Sequence, residues 1–371
     1  MTGASGGPIH PDQIETPQGY VDLDRARSNA VRVVAYATEH GLGWRPHIKT
    51  HKSLAIARLQ LEVGARGLTV ATLREAEVMS ELTDDLLVAY PPVGHRKLQR
   101  LLALPERLDL KVALDSAEVL TALGEAAAGK GREVGVLVEQ DMGMRRVGLA
   151  SADAVVALSR LASETRGVRF RGVMFYPGHI RMAEGEQGAP IEAVSARMQA
   201  TLSALRAEGL DPEIVSGGST PTVWRSHEMQ GLTEIRAGSC IFYDREGLDI
   251  GVADLADVAY TVMATVVSTA VPGQVVVDAG SKALAREARG TGDGFGMVLD
   301  HPEVTVSGVS EEHGVLDISQ TSWRPAVGDR VRIVPNHVCV SVNLQDQLLA
   351  VEGDRHSVVV LEGRGRGLWG S

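Results

Sequence analysis

Between about Arg25 and Gly238 two textures alternate along the chain. Short apolar or β-branched runs are followed by longer stretches rich in Ala, Leu, Glu and Arg, with apolar residues at helical spacing. The short runs predict strands and the longer stretches amphipathic helices. The strands fall at Trp44–Ile48, Arg66–Val70, Leu86–Tyr90, Leu110–Leu114, Val134–Glu139, Arg169–Phe175, Glu213–Ser216 and Thr233–Ala237. Helices include Leu54–Val63, Leu73–Leu82, Ala117–Ala128, Ala152–Ser163 and Glu192–Glu208. Asp115-Ser116 and Ser151 stand where short polar side chains cap a helix start. Eight strands alternating with helices is the α/β pattern of a (β/α)8 TIM barrel. A doubly wound open sheet would carry an early Gly-x-Gly-x-x-Gly turn after a strand, and none occurs.

After about Leu255 the pattern changes. Ala259–Val271, Gln274–Asp278, Val304–Val309, Arg330–Val334, Val338–Leu344 and Val358–Leu361 are β-rich, with Gly, Asp and Pro between them. They predict a C-terminal all-β domain of about 110 residues. Gly290–Gly296 predicts a surface loop. The chain thus divides into an N-terminal segment (1–23), a barrel (24–250) and a β domain (251–371).

Composition narrows the function. With 371 residues, 44% hydrophobic, the chain can build a sizeable core. A net charge of -10 disfavours a nucleic-acid binder or an anionic-membrane binder. Two cysteines, Cys240 and Cys339, do not make a secreted disulfide framework. The N-terminus lacks a signal-peptide pattern, and no apolar run approaches the ~20 residues of a membrane helix. A cytoplasmic enzyme or binding protein is expected.

Chemistry in a barrel gathers where strands end. The first strand ends in Pro46-His47-Ile48-Lys49-Thr50-His51-Lys52. A lysine in a partly desolvated mouth becomes nucleophilic and can form a Schiff base, so Lys49 is singled out. Lys52 reads as a solvated loop lysine. Gly217-Gly218-Ser219-Thr220 follows the seventh strand, and Gly238-Ser239 the eighth, where barrel phosphate sites form. A Schiff-base lysine and a phosphate cup point to pyridoxal 5'-phosphate. A phosphosugar aldolase would use the same pair but leave the β domain unexplained. Finally, His337 and Cys339, read as positions i and i+2 of a strand, would share a face and supply half of a zinc site. His313 could lie nearby, although a structural role is commoner for such a histidine.

Five segments carry a family likeness: Arg45-Pro46-His47-Ile48-Lys49-Thr50-His51-Lys52, Asp141-Met142-Gly143-Met144-Arg145-Arg146-Val147-Gly148, Gly217-Gly218-Ser219-Thr220, Glu312-His313-Gly314 and Pro335-Asn336-His337-Val338-Cys339. Together they resemble the D-serine dehydratase / D-threonine aldolase family, within the alanine-racemase-like fold-type III pyridoxal-phosphate enzymes. The resemblance implies a homodimer acting on a small D-amino acid, with pyridoxal phosphate and a divalent metal. It makes Lys49 the Schiff-base lysine, Arg146 the arginine facing the pyridine nitrogen, and Tyr176 a cofactor contact. Gly217, Gly218, Ser219 and Thr220 become the phosphate cup with Gly238 and Ser239 beside it, and His337 and Cys339 the metal pair. It also implies that a strand near Thr16–Leu23 joins the β domain.

The thiolate of Cys339 favours zinc over manganese or magnesium, and with it the dehydratase branch. Asn343-Leu344 is similar to the aldolases. Dehydration of a D-3-hydroxy amino acid is therefore the leading expectation and retro-aldol cleavage the alternative. A racemase or a non-catalytic pyridoxal-phosphate carrier is more distant: the first gains nothing from a metal, and the second typically lacks the β domain.

Overall fold

A computed structural model of the protein describes residues 14–288 and 293–365. Two compact units divide these described residues: 31–238 with 362–365, and 14–30 with those of 239–361.

The first unit is built on eight parallel strands, Gly43–Trp44, Leu68–Val70, Asp85–Val88, Asp109–Leu114, Val134–Glu139, Val168–Met174, Ile214–Gly217 and Glu234–Ile235. A parallel bridge between His47 and Thr69 closes the series into a barrel. Strands covered on both faces read as apolar runs, Val134–Glu139 most fully: it is buried at all of its positions. Leu87, Ala113, Leu137, Met174 and Ile214 pack as one cluster.

The capping residues behave as the sequence indicates. Ser116 Oγ accepts from the Val119 N–H at 3.4 Å, starting Ala117–Gly129, and Ser151 Oγ from the Ala154 N–H at 3.2 Å, starting Ala152–Glu164. Among the helices that escaped the sequence reading are Leu23–Glu39 and His95–Leu101. Leu23–Glu39 precedes the first barrel strand, and His95–Leu101 buries only Leu98 and Leu101, too few to show a period. The first barrel strand is also shorter than predicted. The regular strand stops at Trp44; beyond it the Arg45 N–H donates to the Ile235 carbonyl and the Pro46 carbonyl accepts from the Thr69 N–H, each at 2.9 Å, before Ile48–Thr50 form a single 3-10 turn.

The second unit holds a nine-stranded sheet. Its strands run Gln274–Val277, Gly314–Asp317, His301–Val309, Gly296–Val298, Arg330–Pro335, Tyr260–Ser268, Gln18–Asp22, Gln347–Glu352 and Arg355–Val360 in spatial order. Tyr260–Ser268 also pairs with Gln274–Val277, closing the first six into a β-barrel without open edges. Gln18–Asp22 runs antiparallel to Tyr260–Ser268 and parallel to Gln347–Glu352.

Two sequence readings need correction here. Val338–Leu344, predicted as a strand from its alternating valines, is an α-helix. Its buried residues Val338, Ser341 and Val342 have helical spacing, and tertiary contacts hold them so. Asp244 Oδ2 accepts from the Val338 N–H at 2.9 Å, and Ser341 Oγ donates to the Ala283 carbonyl at 2.7 Å. The Gly290–Gly296 loop falls partly outside the described residues, and Gly296 already opens a strand. Among the described residues, no helix is long and apolar enough to cross a membrane.

Candidate active site

In the barrel unit, the turn Ile48–Thr50 places Lys49 at the C-terminal mouth. His47 caps this turn in an extended conformation, its Nδ1 accepting from the Lys49 N–H at 3.5 Å. Behind the turn His51 is wholly buried. Its Nδ1 accepts from the Ser53 N–H at 3.1 Å, and its Nε2 lies 3.0 Å from Gln60 Oε1. Burial pulls the His51 pKa down to about 4, so the ring is neutral. Lys49 itself is exposed, not partly desolvated as its strand-end position implied. Lys52 is not a solvated lysine either. It pairs at 3.5 Å with Glu75, whose buried carboxylate requires a nearby cation.

The loop after Val134–Glu139 carries Arg146. Asp141 Oδ1 accepts from the N–H groups of Gly143 at 3.1 Å and Arg145 at 2.8 Å, and Asp115 Oδ2 from that of Gly148 at 2.8 Å. This pins a loop that would otherwise be mobile. Tyr176 follows Val168–Met174. A side chain at Gly178 would fall 2.1 Å from the Tyr176 ring, so the glycine admits the aromatic there. The Arg146 guanidinium lies 5.0 Å and the Lys49 Nζ 5.8 Å from the Tyr176 ring centre. The structure thus brings together three of the singled-out residues.

Gly217 ends the seventh strand and Gly218 follows it. A Cβ on Gly217 would meet the Phe175 ring at 2.4 Å, and Gly218 takes φ +76, which side-chain-bearing residues avoid. Ser219 and Thr220 are buried, and Ser219 Oγ lies 3.0 Å from Thr222 Oγ1. A Cβ on Gly238 would sit 2.5 Å from the His47 carbonyl, which ties this glycine to the Lys49 turn. Ser239, the next residue, opens a short turn in the other unit.

Sequence reasoning did not single out two buried groups at this mouth. Arg236 donates to Ser216 Oγ at 2.8 Å and to the Phe175 carbonyl at 2.7 Å, and burial lowers its pKa to about 10. Glu139 is buried, which raises its pKa although Arg236 and Arg146 pull it down. Burial, then Lys49, Arg236 and Arg146, hold the His47 imidazole well below its ordinary value. Three cations therefore surround one neutral ring. The position of Arg236 between a strand end and Gly238 was the signal available.

In the other unit His337 occupies the N-cap of Val338–Leu344, and Cys339 lies in the first turn. The pair therefore meets across a helix start, not along a strand face as predicted. Burial lowers the His337 pKa, but Cys339, Asp244 and Glu287 outweigh it and raise it to about 10. Glu287 Oε2 stands 2.7 Å from His337 Nδ1. His313 is exposed in the turn before Gly314–Asp317. Among the described residues, no group of three or more His, Cys, Asp or Glu forms a ligand set.

Both implied groups fit these residues. A ring aldehyde bearing a phosphate finds an exposed amine, the guanidinium of Arg146 by the same tyrosine ring, and a turn whose first glycine has no room for a side chain. A soft divalent cation finds a nitrogen whose basicity is raised by Cys339, Asp244 and Glu287, with the sulfur of Cys339 beside it.

Comparison with known proteins follows this division. The family model described as alanine racemase, N-terminal domain, matches residues 21–246, and that of a putative serine dehydratase domain matches 259–351. D-threo-3-hydroxyaspartate dehydratase of Delftia sp. (strain HT23) is 34% identical, over 88% of this chain and 92% of its own. D-threonine aldolase of Arthrobacter sp is 31% identical, over 91% and 89%. The crystal structure of D-threonine aldolase from Filomicrobium marinum superposes with a TM-score of 0.90 at 30% identity, covering 96% of this chain and 99% of that one. A cysteine-to-alanine variant of D-threo-3-hydroxyaspartate dehydratase, solved in the metal-free form, superposes with a TM-score of 0.87 at 32% identity, over 96% and 98%. The fold and the sequence together define an alanine-racemase-like enzyme. The chain belongs to the pyridoxal-phosphate-dependent lyase family that contains D-serine dehydratase, D-threonine aldolase and the 3-hydroxyaspartate dehydratases and aldolases.

Proposed function

We propose that this protein is a pyridoxal-phosphate- and divalent-metal-dependent lyase that converts a D-3-hydroxy amino acid to a 2-oxo acid and ammonia. It would act as a homodimer in the cytoplasm. The observation that carries the dehydratase reading is the juxtaposition of His337 and Cys339 at one helix start, a soft donor pair that selects zinc over harder ions.

Lys49 would hold the coenzyme, Gly217, Gly218, Ser219 and Thr220 its phosphate, with Gly238 and Ser239 beside them. Tyr176 would pack against it and Arg146 face its ring nitrogen. The bound coenzyme supplies an electron sink for the bond broken at the substrate's α-carbon. His337 and Cys339 would hold the metal, a Lewis acid for the β-hydroxyl. The amine of Lys49 would take the α-proton and return it to the β-hydroxyl, which would then leave as water; hydrolysis of the resulting enamine would give the 2-oxo acid and ammonia. Arg146 keeps its own proton throughout, so it orients and does not titrate.

Retro-aldol cleavage to glycine and an aldehyde is the second reading, favoured by the similarity of Asn343-Leu344 to the aldolases. It requires a base at the β-hydroxyl instead of at Cα. Incubation of the coenzyme-loaded protein with D-serine and D-threonine, with and without chelator, separates the two. Pyruvate from D-serine that disappears with chelator is the expected result. Glycine plus acetaldehyde from D-threonine without pyruvate establishes the aldolase, and neither product defeats both.

A further inference from the structure

We propose that Glu287 is the positioning residue for His337: its carboxylate takes the Nδ1–H of the imidazole and so presents Nε2, beside the Cys339 thiolate, to the divalent metal. The inference rests on the assignment of His337 and Cys339 as the metal pair.

The geometry comes from two adjacent side chains. His337 Nδ1 lies 2.7 Å from Glu287 Oε2. Asn336 Nδ2 donates to the Glu287 carbonyl at 2.9 Å and to the Gly294 carbonyl at 2.8 Å. Glu287 is therefore held through its backbone by Asn336 as well as through its side chain by His337. From the opposite side, Asp244 Oδ2 holds the Val338 N–H at 2.9 Å and fixes the helix start that carries the ligands.

A carboxylate offers only lone pairs, so the shared proton resides on Nδ1, and a cation that displaces the other ring proton binds through Nε2. A metal-ligating histidine generally engages its second nitrogen in this way, which fixes tautomer and orientation together. Charge agrees with the assignment. A divalent cation on one thiolate and one neutral imidazole retains a single positive charge, and Glu287 lies beside it. A purely structural ion pair is a poor alternative. The Glu287 side chain is 47% exposed, and exposed pairs contribute little to stability.

The test is zinc affinity, measured by competition with a chromophoric chelator on the full-length protein. Glu287→Ala is expected to weaken zinc binding about 10- to 100-fold with an unchanged melting temperature. Glu287→Gln, whose amide oxygen still accepts, is expected to fall between Ala and wild type. Zinc affinity within twofold of wild type in Glu287→Ala overturns the positioning role while leaving the metal pair in place, provided Cys339→Ala has lost zinc. A wild-type protein that binds no zinc overturns the metal pair and this inference together.

Discussion

The two ends of the α/β barrel treat charge in opposite ways. At the N-terminal end, buried Arg45 bridges Glu234 at 3.0 Å and Asp85, and Lys111 reaches Asp85 at 2.6 Å and Asp109 at 2.7 Å. Arg171 continues the chain from Asp109 to Glu213. Burial pushes the Asp85 carboxyl up, but Arg45 and Lys111 overcome it and hold it below its ordinary range. At the C-terminal end Lys49, Arg146 and Arg236 outnumber the buried acid Glu139, whose pKa is raised. Ser216 joins the two ends, accepting from Arg236 and donating to Glu234 at 2.7 Å. Matched pairs stabilise a fold. Cations gathered at the C-terminal end of a barrel attract an anionic ligand.

The comparison is broken most severely by removing an acid from the balanced end. Glu234 is fully buried, and Glu234→Ala takes from Arg45 one of its two carboxylates and from Ser216 its acceptor. The expected cost is about 3–5 kcal/mol, the range for stranding one member of a buried ion pair. Denaturant unfolding measures it, and a loss below about 1 kcal/mol would mean that the network carries no stability.

Acid should loosen the catalytic end by a different route. His51 titrates at about 4 when folded, against an ordinary 6.5, because burial disfavours its charged form. The unfolded chain therefore takes up the proton first as pH falls. The stabilisation is complete above about pH 6.5 and is lost between about 6.5 and 4, amounting to about 3 kcal/mol. Stability followed by urea titration across that window should decline less steeply in His51→Gln. An identical slope in both proteins would remove His51 as the source.

The contrast between the ends also separates what the sequence discloses from what it conceals. The barrel strands are legible because covered parallel strands read as apolar runs of characteristic length. The ion network is not legible, since Arg45 meets Glu234 across 189 positions. Lys49, Arg146 and the glycine turn stand out only when their motifs are taken together in order. Val338–Leu344 misleads, because valine at alternate positions suggests a strand while contacts from Asp244 and Ala283 impose a helix. Lys52 misleads for a similar reason: its partner Glu75 lies inside the fold. Glu287 has no local motif at all, and only its approach to His337 reveals it.

The smallest effect on stability should accompany the largest on chemistry. Lys49 is exposed at the mouth, where it acts on His47 together with Arg146 and Arg236, and its Nζ rests over the Tyr176 ring. Lys49→Met removes one of several like charges and retains an unbranched side chain of comparable length. The lost cation–π contact is worth about 0.5–1 kcal/mol at an exposed site, and relief of like-charge repulsion offsets part of it. Apo-protein stability should therefore change by less than about 1 kcal/mol, while borohydride no longer fixes the coenzyme to the chain and turnover is lost. A coenzyme still trapped in Lys49→Met would place the reactive amine elsewhere. A stability loss comparable to that of Glu234→Ala would show that the catalytic end, like the opposite one, is charged for the sake of the fold.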